Sequence, residues 1–431
     1  MGRLQFIERK IDNFLTKWQK DIIRKPLIIY GPRQVGKTFT VLEFAKKEYK
    51  NVVYFNTYNN KELFNLFVRE KSTEKLINSL ALISGETILK EDTLIILDNL
   101  VDIEYVRGLK LFGSEHSKYH LIGITSKKEK IIEFKGEELQ FKSMTEMDFE
   151  EFLWANDEKG LAELIRESFN KKKTCPFHKV ALELFQVYLS TGGFPEIVNA
   201  YLDNKNPYEL DAMKQKIIDV YHRELIDAKT LIDIPRGIEV LESIPEQLTK
   251  DNKKFQYGAI GSGKRAKDYE SSINYIVNNQ LAYRSYKITT VKSPLSSCKE
   301  KDSFKLYSVD DGLLYSELHL NYKKFATDEH LKETIYENHI AKTLSEGDYA
   351  LYYYQSEGKA EVNFVIQNRN GQIFPLELTT KTDSKAKSLS VFMKKFTTAQ
   401  AYRVTENNFA TKKDVRYIPI YSIFCLNDKM I

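Results

Sequence analysis

With 431 residues, 42% of them hydrophobic and 29% charged, the chain has the composition of a folded globular protein, which excludes disorder. It is too long for one core and holds about three domains at roughly 150 residues each. A net charge of +5 over this length permits contact with nucleic acid but does not argue for it.

The first segment, MGRLQFIERKIDNF, has no apolar core of a signal peptide, and Phe6 stands where a myristoylation pattern wants Ser or Thr. No run of about 18 apolar residues occurs, so no membrane span is expected. Cys175, Cys298 and Cys425 are sparse and widely spaced, which fits a reducing compartment and neither a disulfide framework nor a zinc site. Cys175-Pro-Phe-His178 lacks a second pair of ligands and reads as structural. The expectation is a soluble, cytoplasmic protein.

Residues 1–150 alternate short apolar runs with charged helical stretches. PLIIY (26–30), NVVYF (51–55), TLIIL (93–97) and HLIGI (120–124) suit strands buried on both faces of a parallel sheet, so this part reads as an α/β layer. Between the first two runs lies Gly31-Pro32-Arg33-Gln34-Val35-Gly36-Lys37-Thr38, a complete G-x-x-x-x-G-K-[ST] phosphate loop. Its backbone N–H groups and the helix dipole behind them suit phosphate charge. Lys37 is expected to reach the β- and γ-phosphates of ATP, and the Thr38 hydroxyl to ligate Mg²⁺. Arg33 and Gln34 are candidates for added contacts.

Asp98, closing TLIIL, is the expected second magnesium group. The residue after it, where a glutamate would polarise the attacking water, is Asn99, whose amide orients water but cannot take its proton. Glu104 replaces that glutamate only if its loop folds back. After HLIGI, Thr125 or Ser126 is a candidate sensor of the γ-phosphate, with a strand-end turn as the alternative. A second loop, Gly258-Ala-Ile-Gly-Ser-Gly263-Lys264, is a decoy, because Arg265 replaces the required hydroxyl and FQY is a poor buried strand.

From 151 to 234 the pattern is helical, broken by Gly-Gly-Phe-Pro at 192–195. From 235 to 322, short helices precede the strand-like LAYRSYKITTV, which suits a winged-helix-like module. Residues 323–431 read helix, strand, strand, turn, strand, helix, strand.

These features resemble a large group of prokaryotic ATPases that join an AAA+-type domain to a C-terminal domain of unknown function. The resemblance runs through IERKIDNFLTKW, GPRQVGKT, SMTEMDFEEFLWA, GGFPEIV, SIPEQL, NKKFQY, KRAKDYE, LYSVDDGLL, IYENHIA and AEVNFVI…FPLELTT. It implies an ATPase core at 1–150, a helical lid at 151–234, a winged-helix-like module at 235–322 and a PD-(D/E)XK nuclease-like fold at 323–431. Two departures stand out. The group usually carries Asp-Glu where this chain has Asp98-Asn99, so rapid hydrolysis is not expected. Of the nuclease signature, Glu337 and Glu377 match, whereas Asn363 stands at the acid position and Thr379 at the lysine position. Lys381 shares the face of Glu377 and Thr379 if the strand continues, displaced by about 7 Å.

The leading expectation is an ATP-binding switch or slow ATPase, with Arg223 or Arg236 reporting the γ-phosphate from the lid. A second reading is a DNA-binding or DNA-processing protein with regulatory ATP, in which Lys264, Arg265 and Lys267 neutralise phosphates. The same run also reads as a solvated face held by Asp268 and Glu270. A third is a module that docks a protein partner through its C-terminal domain.

Overall fold

The four apolar runs become parallel strands because each is long enough to cross a sheet, and the first three are each followed by a helix that returns the chain. A computed structural model describes residues 7–113, 118–128, 131, 134, 138–227, 233–356, 360–380 and 387–426. Contacts divide it into two units, one of residues 8–146 with 278–280, the other of most of the remainder.

In the first unit, helix α1 (Lys10–Lys20) buries Ile11, Leu15 and Trp18 along one stripe. It precedes β1 (Leu27–Tyr30), α2 (Lys37–Glu48) and β2 (Asn51–Asn56). Helices α3 (Lys61–Arg69) and α4 (Thr73–Ser84) lead to β3 (Thr93–Asp98), α5 (Ile103–Lys110), β4 (His120–Thr125) and β5 (Gln140–Ser143). The sheet order is β2-β3-β4-β1-β5 and every pairing is parallel. Three of the expected strands are wholly buried. The expectation fails for β2. It is an edge strand, with Val53 and Phe55 buried and Tyr54 and Asn56 exposed, so one face meets the core and the other does not. The apolar run contained a tyrosine, and hydropathy alone could not tell a buried ring from one presenting its hydroxyl at the surface.

The second unit opens on helices α6 (Phe149–Ala155), α7 (Lys159–Lys171), α8 (His178–Thr191), α9 (Pro195–Leu202) and α10 (Pro207–Asp227). Phe149 and Phe152 pack against Tyr188, and Phe149 also against Phe185. Helices α11 (Ile234–Leu248), α12 (Tyr257–Ile260) and α13 (Ala266–Asn278) precede the antiparallel strands β6 (Ala282–Ile288) and β7 (Lys299–Ser308). Then come α14 (Asp311–Glu317), α15 (Tyr322–Thr327), α16 (Glu329–Glu346), β8 (Leu351–Gln355), β9 (Glu361–Gln367), β10 (Ile373–Leu378), α17 (Lys387–Lys395), β11 (Ala401–Thr405), β12 (Ala410–Lys412) and β13 (Val415–Pro419). Strand β6 pairs in parallel with β8, so residues 282–308 and 351–419 build one mixed sheet, β12-β13-β11-β10-β9-β8-β6-β7. Helix α16 is buried without a break from Thr334 to Leu344, although it carries Glu337, Asn338, His339 and Lys342. Such a helix is stable only if each polar group finds a partner. Asn338 and His339 both bond Asp311, and Lys342 donates to the Tyr188 hydroxyl at 2.6 Å.

Candidate nucleotide site

Parallel strands deliver their carboxyl ends to one edge of the sheet, and loops leaving that edge are where ligands bind in open α/β folds. Here β1 hands over to the phosphate loop, β3 ends on Asp98, and β4, lying between them, ends on Thr125. The loop's shape follows from its glycines. A Cβ on Gly31 would stand 1.9 Å from the Met144 carbonyl oxygen, so only glycine fits there. Gly36 takes a left-handed φ of 93° as the chain turns into α2, and Gln34 does the same at 67°. The first rung of α2 runs from the Thr40 N–H to the Gly36 carbonyl at 2.9 Å. The N–H groups of residues 37–39 therefore precede the helix ladder, at the helix end that suits phosphate charge.

Lys37 is buried, and its ammonium donates to the carbonyls of Gly31 at 2.8 Å and Pro32 at 2.5 Å. Its stem thus folds back under the loop. The Thr38 hydroxyl donates to Asp98 Oδ2 at 2.8 Å, so two residues 60 positions apart meet. Asp98 Oδ1 accepts the Asn99 N–H at 2.8 Å. A hydroxyl and a carboxylate are the hard oxygen donors that Mg²⁺ takes, and the donor set fits that ion.

Asn99 has a left-handed φ of 59°. Its amide nitrogen donates to Asn56 Oδ1 at 3.2 Å, and its carbonyl accepts the Thr57 hydroxyl at 2.7 Å. The side chain is thus engaged with the end of β2. Glu104 pairs with Arg107 one turn along α5. The Thr125 hydroxyl donates to the Leu100 carbonyl at 2.6 Å and accepts the Lys127 N–H at 3.0 Å, which makes it a buried strand-end turn. Ser126, next to it, is half-buried. Val35 is fully buried, Pro32 is buried, Arg33 is half-buried and Gln34 is exposed.

Two contributors were not legible in the motif. Arg9 is buried, and its guanidinium donates to the carbonyls of Val35 at 3.0 Å and Thr145 at 2.8 Å, so it braces the phosphate loop from beneath. Tyr54 donates its hydroxyl to Asp98 Oδ2 at 2.9 Å. Burial, and then the bond to the Asp98 carboxylate and its charge, push the Tyr54 phenol up to about 12. At neutral pH it is a donor. The signal for Tyr54 is its place on the strand beside TLIILD, one residue out of phase with Val53 and Phe55.

In the other unit, Arg223 is exposed, and Arg236 bonds the Asp268 carbonyl at 3.0 Å and lies 3.5 Å from the Asp233 carboxylate. Lys264 is held by Glu239, at 3.0 and 3.1 Å, and not by the expected Asp268 or Glu270. Arg265 and Lys267 are exposed. Residues 257–260, in the second glycine-containing loop, are helical and no strand precedes them.

At the nuclease-like positions the carboxylates already have cations. Glu337 accepts from Lys253 at 2.8 Å, Lys305 at 3.1 Å, the Tyr307 hydroxyl at 2.7 Å and the Asn363 amide at 3.3 Å. Burial would push its carboxyl up, but the ammonium groups of Lys253 and Lys305 outweigh that and hold it far below the usual range. Glu377 pairs with Arg403 and accepts the Leu389 N–H at 3.3 Å. Thr379 donates its N–H to the Val404 carbonyl at 3.0 Å. Lys381 lies outside the described residues. No helix among the described residues is long and apolar enough to cross a membrane.

Comparison with known proteins agrees with the geometry at the N-terminal end. Residues 23–153 match the AAA domain family, residues 182–324 a domain of unknown function (DUF8612), and residues 332–423 another (DUF4143). An uncharacterized protein of Methanocaldococcus jannaschii is 25% identical over 230 residues, which are 52% of this chain and 47% of that protein. The match thus spans about half the length of that relative. Among solved structures, a signal transduction ATPase with numerous domains and a tetratricopeptide repeat sensor, from Pyrococcus horikoshii, shares 14% identity. That likeness covers 79% of this chain and 45% of that one, with a TM-score of 0.29. The RuvB Holliday junction branch migration motor of Thermotoga maritima shares 12%, covering 74% of this chain and 94% of that one, with a TM-score of 0.31. Both scores are too low to indicate a shared overall fold. The segment from 23 to 153, which holds the complete phosphate loop, is thus similar to AAA domains, and the two stretches after it match domains of unknown function.

Proposed function

We propose that the chain binds ATP with Mg²⁺ at Gly31–Thr38 and acts as a nucleotide-dependent switch or slow ATPase. The observation that carries this reading is the Thr38 hydroxyl held 2.8 Å from Asp98 beneath a complete phosphate loop, with Asn99 turned to Asn56. Lys37 neutralises phosphate charge, the N–H groups opening α2 hold the phosphate oxygens, and Thr38 and Asp98 hold the ion. Mg²⁺, when bound, supplies charge neutralisation across the β- and γ-phosphates. With an amide at position 99 and Glu104 tied to Arg107, neither of the two positions expected to supply a base takes a proton from an attacking water. Turnover well below about one per second follows.

The test is titration of a fluorescent ATP analogue with Mg²⁺ present, alongside steady-state phosphate release. Lys37→Ala combined with Asp98→Ala should abolish binding, and retention of binding by that variant would move the site elsewhere. DNA contact is a second reading, motivated by exposed Arg265 and Lys267 at the head of α13. A gel shift of duplex DNA that weakens with salt would support it, and no shift at low salt would remove it. For the C-terminal domain, the ion-paired state of Glu337 and Glu377 favours a docking or structural role over cleavage.

A further inference from the structure

The Asp98 carboxylate has more partners than the phosphate loop provides. Its Oδ2 accepts from Thr38 at 2.8 Å and from Tyr54 at 2.9 Å, while Oδ1 is fixed by the Asn99 N–H. Strand register explains how Tyr54 comes to be there. Asn56 lies opposite Asp98 and Tyr54 opposite Ile96, so the tyrosine is one diagonal step from the carboxylate on the same face. A ring is long enough to cover that step. The edge position of β2 leaves Tyr54 41% exposed, on the face turned away from the buried Val53 and Phe55.

From this geometry we infer that Tyr54 is a positioning residue for magnesium. It holds Asp98 so that the Thr38 hydroxyl spends its proton on the carboxylate and turns its lone pairs outward to the cation. This rests on the nucleotide-site reading above. Removing the phenolic oxygen lets the carboxylate turn, and groups that orient a metal's ligands typically alter metal affinity by about tenfold or more. The proton of Thr38 then has no fixed acceptor. Nucleotide binding that depends on the loop and Lys37 alone is untouched.

The experiment measures the affinity for a fluorescent ATP analogue in excess Mg²⁺ and in EDTA, for wild type, Tyr54→Phe and Lys37→Ala. Phenylalanine keeps the ring and the strand propensity, so the variant folds, and circular dichroism checks this. The expected result is that the ratio of the two affinities falls about tenfold in Tyr54→Phe while the EDTA value is unchanged. In Lys37→Ala both values should fall. A Tyr54→Phe ratio equal to that of wild type, or an equal loss in both conditions, would overturn the role of Tyr54 alone. Absence of nucleotide binding by wild type in either condition would overturn the site reading and this inference with it.

Discussion

Replacing Glu337 by glutamine separates an ion-paired core from a metal site. The carboxylate is 2% exposed and lies between Lys253 and Lys305, themselves 7% and 4% exposed at the side chain. Glutamine keeps the shape and some hydrogen bonds but removes the charge. Lys305 retains Glu361 at 2.8 Å, whereas for Lys253 the only ion pair found in the described residues is with Glu337. Breaking a buried pair by removing one partner costs about 3–5 kcal/mol, because a charge is left in a poor solvent. For a unit of this size that is a fall of about 5–8 °C in melting temperature.

The pH dependence has a sign. The Glu337 carboxyl is depressed on folding, so its contribution is complete above the unfolded value near 4.3 and is lost as pH falls toward the lower folded value. For Lys305, burial lowers the ammonium pKa, but Glu337 and Glu361 outweigh it and raise it. Its contribution is therefore complete below about 10.4 and lost as pH rises through the higher folded value. Thermal melts followed by circular dichroism between pH 3 and 8 read the Glu337 effect, and the Lys305 contribution is constant over that range. Glu337→Gln should melt lower at pH 7 and lose the part of the acid transition that Glu337 causes. Adding Lys253→Met should recover part of the loss, since the stranded cation is gone. A melting temperature within a degree of wild type, or a rise of the wild-type value on adding Mn²⁺ that the variant lacks, would refute the ion-pair account.

Four further outcomes are expected. Arg9→Ala removes two charged hydrogen bonds to the backbone beneath the phosphate loop, so the N-terminal unit should lose about 2–4 kcal/mol and nucleotide affinity should fall with it. Equal affinity in melting and binding assays would show that the brace is dispensable. Asn99→Glu places a residue of low left-handed tolerance at φ 59°, costing about 1 kcal/mol, while supplying the missing carboxylate. Phosphate release should rise, and an unchanged rate would show that something other than the missing base limits turnover. Gly31→Ala should abolish nucleotide binding, because the new methyl meets the Met144 carbonyl at 1.9 Å. Finally, burial and then the Arg24 charge depress buried His120 to about 4, and its Nδ1 bonds the Tyr49 hydroxyl at 2.6 Å. The unfolded imidazole takes up a proton first, so stability should fall as pH drops from about 6.5 toward 4, by up to about 3 kcal/mol. A His120→Leu protein should lack that slope in melts over the same range.

Much of the fold and site was legible from residues adjacent in the chain. The phosphate loop is one uninterrupted segment whose glycines, lysine and threonine have local reasons to be there, and it sits between an apolar run and a helix. Asp98 was readable because it closes an unbroken apolar run. The parallel sense of the four N-terminal runs was readable too, since apolar runs alternating with helices leave few other ways to bury both. The strands of 351–419 could be sensed as strands, but their joining with 282–308 into one sheet could not, because pairing partners distant in sequence leave no local mark.

Tertiary structure alone decided what surrounds the motif. Tyr54 looked like part of a buried run until the edge position of β2 turned it outward, and register then carried its hydroxyl to Asp98. Arg9 lies 26 residues before Val35, and only the packing of the chain's start beneath the loop gives its charge an acceptor. Glu337 read as a metal ligand by position, yet Lys253 and Lys305, from two other parts of the chain, take the place a cation would hold. The amino-acid sequence by itself determined which groups can hold phosphate, since that chemistry is local to one loop. Which neighbour neutralises or orients each group was decided only in three dimensions, because charges and hydroxyls act over a few ångströms of space and not along the chain.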